Sequence, residues 1–140
     1  MMITYKQIDE SYIEEALKIY EENEWRVYTA DPEKTKRAFQ NSLYILGAFD
    51  EDQLVGFIRC IGDQEFVLYI QDLIVKPTHF RQGIGKTLVG MISDMYPQCR
   101  HFFLTTDGKD PVANSFYQAI GLTQDFGGWP INHYFRKLKK

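Results

Sequence analysis

The sequence predicts an α/β fold with a mixed central sheet and helices on both faces. Three observations carry that expectation. Strand-like and helix-like segments follow the order β-α-α-β-β-β-α-β-α-β. Strands joined by tight turns come before strands joined by helices, which is the pattern of a mixed sheet. At residues 71–88 an apolar run, a glycine turn and a helical apolar spacing follow one another directly.

Each element has a local reason. Ile3 to Ile8 alternates and reads as the first strand. Asp9 or Ser11 can cap the helix that follows, with Glu14 and Glu15 in its first turn and Ile13, Ala16, Leu17 and Tyr20 on its apolar face. Glu21 to Glu24 is expected to fray, and Trp25 to Tyr28 to form an aromatic loop. Asp31 then caps a second helix with Pro32 at its first position, ending near Ser42. Leu43–Phe49 and Leu54–Ile61 read as a hairpin around the polar turn at 50–53. Glu65 to Val75 is long for a strand, so a bulge is expected within it. After the glycine turn, Ile84, Leu88, Met91, Ile92 and Met95 mark a helix ending at Tyr96-Pro97. His101 to Thr106 reads as a buried strand. Asp110-Pro111 starts a helix to Ala119 that Gly121 terminates. Thr123 to Pro130 reads as a loop, and His133 to Leu138 as a last strand.

The 140 residues suit one domain spanning 1–140 with a real core. At 44% apolar and 25% charged residues the chain is ordinary globular protein. A net charge of −3 argues against a general nucleic-acid binder. The four cations between Arg136 and Lys140 read as a solvated tail. Cys60 and Cys99 lack metal-ligand or Cys-x-x-Cys spacing, and they read as reduced, buried thiols of a cytoplasmic protein. No apolar run approaches a membrane span, and the N-terminus lacks a signal-peptide core. The 15% aromatic content favours an apolar or aromatic-lined pocket.

The stretch Gln71 to Leu88 carries the chemistry. Pro77 closes the run Leu73-Ile74-Val75, because proline has no amide for a ladder. Gly83 and Gly85 let backbone amides approach a ligand, and the helix beginning at Ile84 points its positive end at the same place. That place suits a phosphate. Lys76, Arg81 and Lys86 add three cations, with no acid between Lys76 and Lys86. Spacing separates three loop types of this look. A P-loop needs a glycine where Phe80 stands, although Gly85-Lys86-Thr87 fits its second half. A dinucleotide fingerprint needs a third glycine where Leu88 stands.

The third type fits. Phe80-Arg81-Gln82-Gly83-Ile84-Gly85, after a strand ending Leu73-Ile74-Val75-Lys76-Pro77, resembles the pyrophosphate loop of the GCN5-related N-acetyltransferases. That motif is Gln/Arg-x-x-Gly-x-Gly/Ala, and the chain departs from it at Phe80. A second signature of the family, Asn-x-x-Ala-x-x-Phe-Tyr-x-x-x-Gly-Phe, is matched in register by Ala113, Phe116, Tyr117 and Gly121. Asp110 stands for its Asn and Leu122 for its Phe. The resemblance covers nearly the whole chain and implies the acyl-CoA N-acyltransferase fold.

The resemblance further implies transfer of the acetyl group of acetyl-CoA to an amine-bearing acceptor by direct attack. The phosphates of CoA would sit on the amides of Arg81, Gln82, Gly83, Ile84, Gly85 and Lys86. The pantetheine arm would pair with the open edge of Leu73, Ile74 and Val75, and an edge N–H near Leu73 or Val75 would stabilise the oxyanion. Asp110 or Asn114 would contact the pantetheine. Tyr117 would act as general acid and also border the cofactor. Some relatives carry a catalytic Glu at the position of Tyr69. This chain has no carboxylate there, so Asp72, Glu65 or a water chain is the candidate base. A strand carboxylate at Asp72 paired with a cation such as Arg59 is the structural alternative. Trp25, Tyr28 and Tyr69, with Trp129 and Tyr134, are placed to line an acceptor pocket. His79 reads as solvated, and no metal is expected. The resemblance also implies a homodimer. A non-catalytic acyl-CoA sensor of the same fold and a P-loop nucleotide binder are the rival readings; turnover with any amine separates the first, and Phe80 argues against the second.

Overall fold

A computed structural model describes residues 2–138. They form two compact units that part between Thr105 and Thr106. The last two lysines of the basic tail, Lys139 and Lys140, lie outside the described residues.

The first unit is built on a five-stranded sheet in the order β1-β2-β3-β4-β5. Its strands are β1 (Ile3–Gln7), β2 (Tyr44–Asp50), β3 (Gln53–Gly62), β4 (Val67–Val75) and β5 (His101–Phe103). The first four pair antiparallel and β5 joins β4 in parallel, so the sheet is mixed as expected. β3 is central and buried without interruption from Leu54 to Cys60, because helices cover both faces. One face carries α1 (Ile13–Glu22), α2 (Arg26–Thr29) and α3 (Pro32–Gln40). Ala16, Ile19, Tyr20, Phe39, Phe57 and Ile74 form the core there. α4 (Ile84–Met95) packs against β2, β3 and β4 with Ile84, Leu88, Val89 and Ile92 buried.

Local chemistry accounts for the helix starts. The Asp31 carboxylate accepts from the Lys34 amide at 3.2 Å, with Pro32 in the first turn of α3. Asp9 caps a short 3-10 turn, Glu10–Tyr12, that leads into α1. The expected fraying at Glu21 is not seen, since α1 continues to Glu22. The expected loop at Trp25 to Tyr28 is a single helical turn, α2, folded so that Trp25 and Tyr28 lie against Tyr20.

The expected bulge in β4 is present, and it decides which way the strand faces. Arg59 pairs with Asp72 but Cys60 pairs with Ile70, so Gln71 is an extra residue on β4. Directly paired residues share a face, and successive residues along β3 face opposite ways. Phe57 and Arg59 therefore set Ile74 and Asp72 toward α1, while Cys60 sets Ile70 toward α4. In a regular strand Ile70 and Asp72, two residues apart, would point to the same side; the extra residue Gln71 puts them on opposite sides. Tyr69, opposite Ile61, returns to the α1 face.

β5 corrects the expectation of a buried strand over His101–Thr106. It has three residues, of which His101 and Phe103 are exposed, because it pairs with β4 only from Val67↔His101 to Tyr69↔Phe103.

The second unit holds α5 (Pro111–Ala119), started by Asp110 and followed by Gly121 at φ +97°. Phe126 and Trp129 then bridge across Gly127 and Gly128, whose φ values of +59° and +81° suit a two-residue hairpin turn. The expected strand His133–Leu138 is absent. Alternation alone does not make a strand; a ladder partner is needed.

Candidate active site

The parallel pairing of β4 stops at Tyr69, so among the described residues its second half has a neighbour strand on one side only. The Lys76 amide donates to the Val55 carbonyl at 2.7 Å. By antiparallel alternation Ile74 and Asp72 also bond β3, and Leu73 and Val75 direct N–H and C=O away from it. Of the three edge residues expected to meet a cofactor, Ile74 is thus corrected. Its backbone belongs to the β3 ladder and its side chain to the core under α1. Leu73 and Val75 remain, half-buried and facing the open edge.

This edge runs through the 3-10 turn Pro77–His79 to the glycine loop. Arg81 and Gly83 both have left-handed backbones, with φ of +62° and +79°. Gly83 is the N-cap of α4 and no side chain caps it. The first intrahelical bond runs from the Thr87 amide to the Gly83 carbonyl at 3.0 Å. The amides of Ile84, Gly85 and Lys86 lie before it, beyond the reach of that ladder, at the positive end of a twelve-residue helix. Ile84 contributes only its amide, because its side chain is buried against the sheet. Arg81, Gln82 and Lys86 are exposed at the turn. Of the three cations Lys76 is paired, its Nζ 2.7 Å from Glu22 Oε1. His79 is likewise not solvated. Its Nε2 lies 2.9 Å from Asp50 Oδ2 and its Nδ1 2.8 Å from Thr78 Oγ1, which fastens the start of the loop to the β2–β3 hairpin.

Beneath the edge, on the α1 face, sits a buried polar cluster. Asp72 is 1% exposed and Arg59 4%. Asp72 Oδ2 accepts from Arg59 Nε at 2.6 Å and from the Tyr20 hydroxyl at 2.7 Å. Arg59 Nη1 also reaches Ser42 Oγ at 3.2 Å. Burial pushes the Tyr20 hydroxyl far above its ordinary value, and the Asp72 charge pushes the same way. Burial works against the Arg59 charge, but Asp72 and Tyr20 more than offset it, so the guanidinium is held above its ordinary value. These contacts correct the expectation of Asp72 as a catalytic carboxylate. It is an interior ion-pair partner under Tyr20, and it does not present an oxygen to an acceptor at the surface. Glu65 is exposed in the turn before β4, where its amide bonds Asp63 Oδ1.

Of the expected acceptor-side aromatics, the structure joins two. Tyr28 stacks on Tyr20 with centroids 4.4 Å apart, and Trp25 lies 6.3 Å from Tyr28. Gln71, the bulge residue, donates to the Tyr28 hydroxyl at 3.1 Å. Burial raises the Tyr28 phenol above its usual value, with Asp72 next in effect. Tyr69 shares the α1 face but pairs elsewhere. Its ring meets Phe103 edge-on at 4.9 Å and its hydroxyl lies 2.7 Å from Thr105 Oγ1. Sequence reasoning missed Tyr20 as a polar residue. The signal was its hydroxyl on a fully apolar helix face, which requires a buried partner.

In the second unit, Asp110 Oδ1 accepts from the amides of Val112 and Ala113 at 3.0 and 3.1 Å, so it caps α5. Asn114 Nδ2 donates to the carbonyls of Asp107 and Asp110 at 2.9 and 2.7 Å. Both residues thereby shape the turn that begins α5. Tyr117 is half-buried, and burial followed by Asp110 raises its phenol. Trp129 and Tyr134 are exposed. Among the described residues no group of three metal-ligating side chains occurs, and no helix is long and apolar enough to cross a membrane.

Comparison with known proteins bears on this arrangement. The model of the acetyltransferase (GNAT) family matches residues 6–122. An uncharacterized N-acetyltransferase, ycf52-like, of Prochlorococcus marinus is 31% identical over 94 residues, covering 64% of this chain and 52% of its own. This chain spans about half the length of the curated relatives first matched. A GNAT-family acetyltransferase structure from Streptococcus pneumoniae TIGR4 superposes with a TM-score of 0.80 at 28% identity, over 99% of this chain and 100% of that one. The PaiA N-acetyltransferase of Thermoplasma acidophilum, solved with coenzyme A, shares the fold with a TM-score of 0.72 at 21% identity, over 86% and 89% of the two chains.

Proposed function

The chain belongs to the acetyltransferase (GNAT) family, and from that premise we propose that it transfers the acetyl group of acetyl-CoA to an amino group of a small molecule or peptide. The observation that carries the reading is the open half of β4 leading into the uncapped start of α4. An extended arm with amides can add to the edge at Leu73 and Val75. A pyrophosphate can take the amides at Gly83 to Lys86. The coenzyme A bound in the T. acidophilum relative is in keeping with that cofactor. Residues 1–140 are proposed to work as one catalytic domain, in support of which the family match runs from residue 6 to residue 122.

In the proposed reaction the neutral amine attacks the thioester carbonyl, the C–S bond breaks, and the CoA sulfur leaves as thiolate. An N–H of the open edge, at Leu73 or Val75, holds the developing oxyanion. An alkyl ammonium is neutral in roughly one molecule in a thousand at pH 7. With Asp72 paired to Arg59, water is the acceptor of the amine proton in this proposal. Tyr117 protonates the leaving thiolate; this role rests on the motif around Ala113 to Gly121. Trp25 and Tyr28 border the acceptor, supported by their shared cluster over Tyr20. A cytoplasmic location fits the two free, buried cysteines, and a homodimer is proposed from family resemblance alone.

The test is thermal stability with acetyl-CoA, CoA, ATP and NAD in parallel, followed by thiol release over a panel of primary amines. A ligand bound only by the native state adds about 2.7 kcal/mol at a hundred times its Kd. Stabilisation by acetyl-CoA and CoA alone, then amine-dependent thiol release, is expected. Stabilisation by ATP, or by none of the four, would remove the reading.

A further inference from the structure

Asn23 follows the last residue of α1 as its C-cap. An amide nitrogen carries two hydrogens. One goes to the Ile19 carbonyl of its own helix at 3.0 Å. The other goes to the Val75 carbonyl, 52 residues away, also at 3.0 Å. Val75 C=O and Lys76 N–H belong to one peptide unit. Lys76 N–H is bound to Val55 on the β3 side, and Val75 C=O is bound to Asn23 on the other. The peptide is therefore held from both sides at the end of β4, within the half of the strand that lies beyond its pairing with β5. Next to it, Glu22 pairs with Lys76 at 2.7 Å, so two successive residues tie the end of α1 to the end of β4.

We propose that Asn23 is a positioning residue for the pantetheine half of the cofactor, an inference that rests on the acetyl-CoA reading. An edge peptide bonded on one side can tilt about the strand axis. A tilt here would swing the neighbouring Val75 N–H, the donor that the open edge offers to the arm and the thioester. Asn23 removes that freedom without closing the edge, because it takes the carbonyl and leaves the Val75 N–H. The glycine turn lies further along and is held by its own ladder at Gly83–Thr87. Asn23 therefore acts on one half of CoA and not on the other.

The test is calorimetric binding of CoA and of 3′,5′-ADP, which carries the nucleotide phosphates without the pantetheine. Wild type is compared with Asn23→Ala and with Asn23→Ser, which keeps one donor. One hydrogen bond is worth about 1 kcal/mol net, so CoA should weaken roughly five- to tenfold in Asn23→Ala. Binding of 3′,5′-ADP should stay within about twofold of wild type. Equal loss on both probes, no loss on CoA, or failure of both variants to fold would overturn the proposal. Wild type binding neither probe would instead overturn the acetyl-CoA reading beneath it.

Discussion

Two polar groupings flank the second half of β4, and they treat their hydrogen-bonding capacity in opposite ways. Around Asp72, side chains from β3, β4 and α1 bond one another inside the protein through Oδ2, with Oδ1 buried away from solvent and unpartnered among the described residues. At Gly83 the first amides of α4 have no capping side chain and open to the surface. The first arrangement ties elements together; the second is ready for an outside partner. A cluster of charges is thus a poor guide to a site by itself. What matters is whether the partners are already present.

The largest expected effect falls on the closed grouping. Arg59→Ala leaves a buried carboxylate without its cation, which typically costs about 3–5 kcal/mol. Urea unfolding should show that loss, and a change below about 1 kcal/mol would mean that Asp72 is not held by Arg59 as described. The open grouping should respond differently. At Gly83 an added Cβ meets nothing within 4 Å, so the cost of Gly83→Ala comes from the left-handed backbone, about 1–2 kcal/mol. If the turn binds phosphate, the same change should weaken 3′,5′-ADP as well as CoA, unlike Asn23→Ala. Unchanged binding of both ligands would move the phosphate site elsewhere.

A further effect is in alkaline titration. Burial pushes the Cys60 thiol up to about 12 and the Tyr20 hydroxyl also upward. Both groups then bind protons more tightly folded than unfolded. Their contribution is fully present below the unfolded value near 9 for the thiol, and it is lost as pH rises toward 12. Stability measured from pH 8 to 11 should fall, and Cys60→Ala should flatten the slope. A slope unchanged by that substitution would contradict the burial argument.

Much of the fold was legible because its determinants are close in sequence. Pro77, Gly83 and the spacing of Ile84, Leu88 and Ile92 specify a strand end, a turn and a helix within twenty residues. The cap at Asp31, the hairpin at 50–53 and even the β4 bulge were readable from local chemistry and length. α2 was missed, since four residues carry too little periodicity to register. The strand expected at His133–Leu138 failed for the opposite reason: an alternating pattern was present and no ladder was.

By itself, then, the sequence determined the order of the longer elements from β1 to α5, the glycine turn and the family motifs, because each of these is written in neighbouring residues. Only the tertiary structure decided the partners. Asp72 became an interior ion-pair member when a bulge turned it toward Arg59, thirteen residues away, and Tyr20, fifty-two away. Asn23 met Val75 across the same fifty-two residues. Such contacts depend on where the sheet puts its faces and edges, and no local pattern encodes that placement.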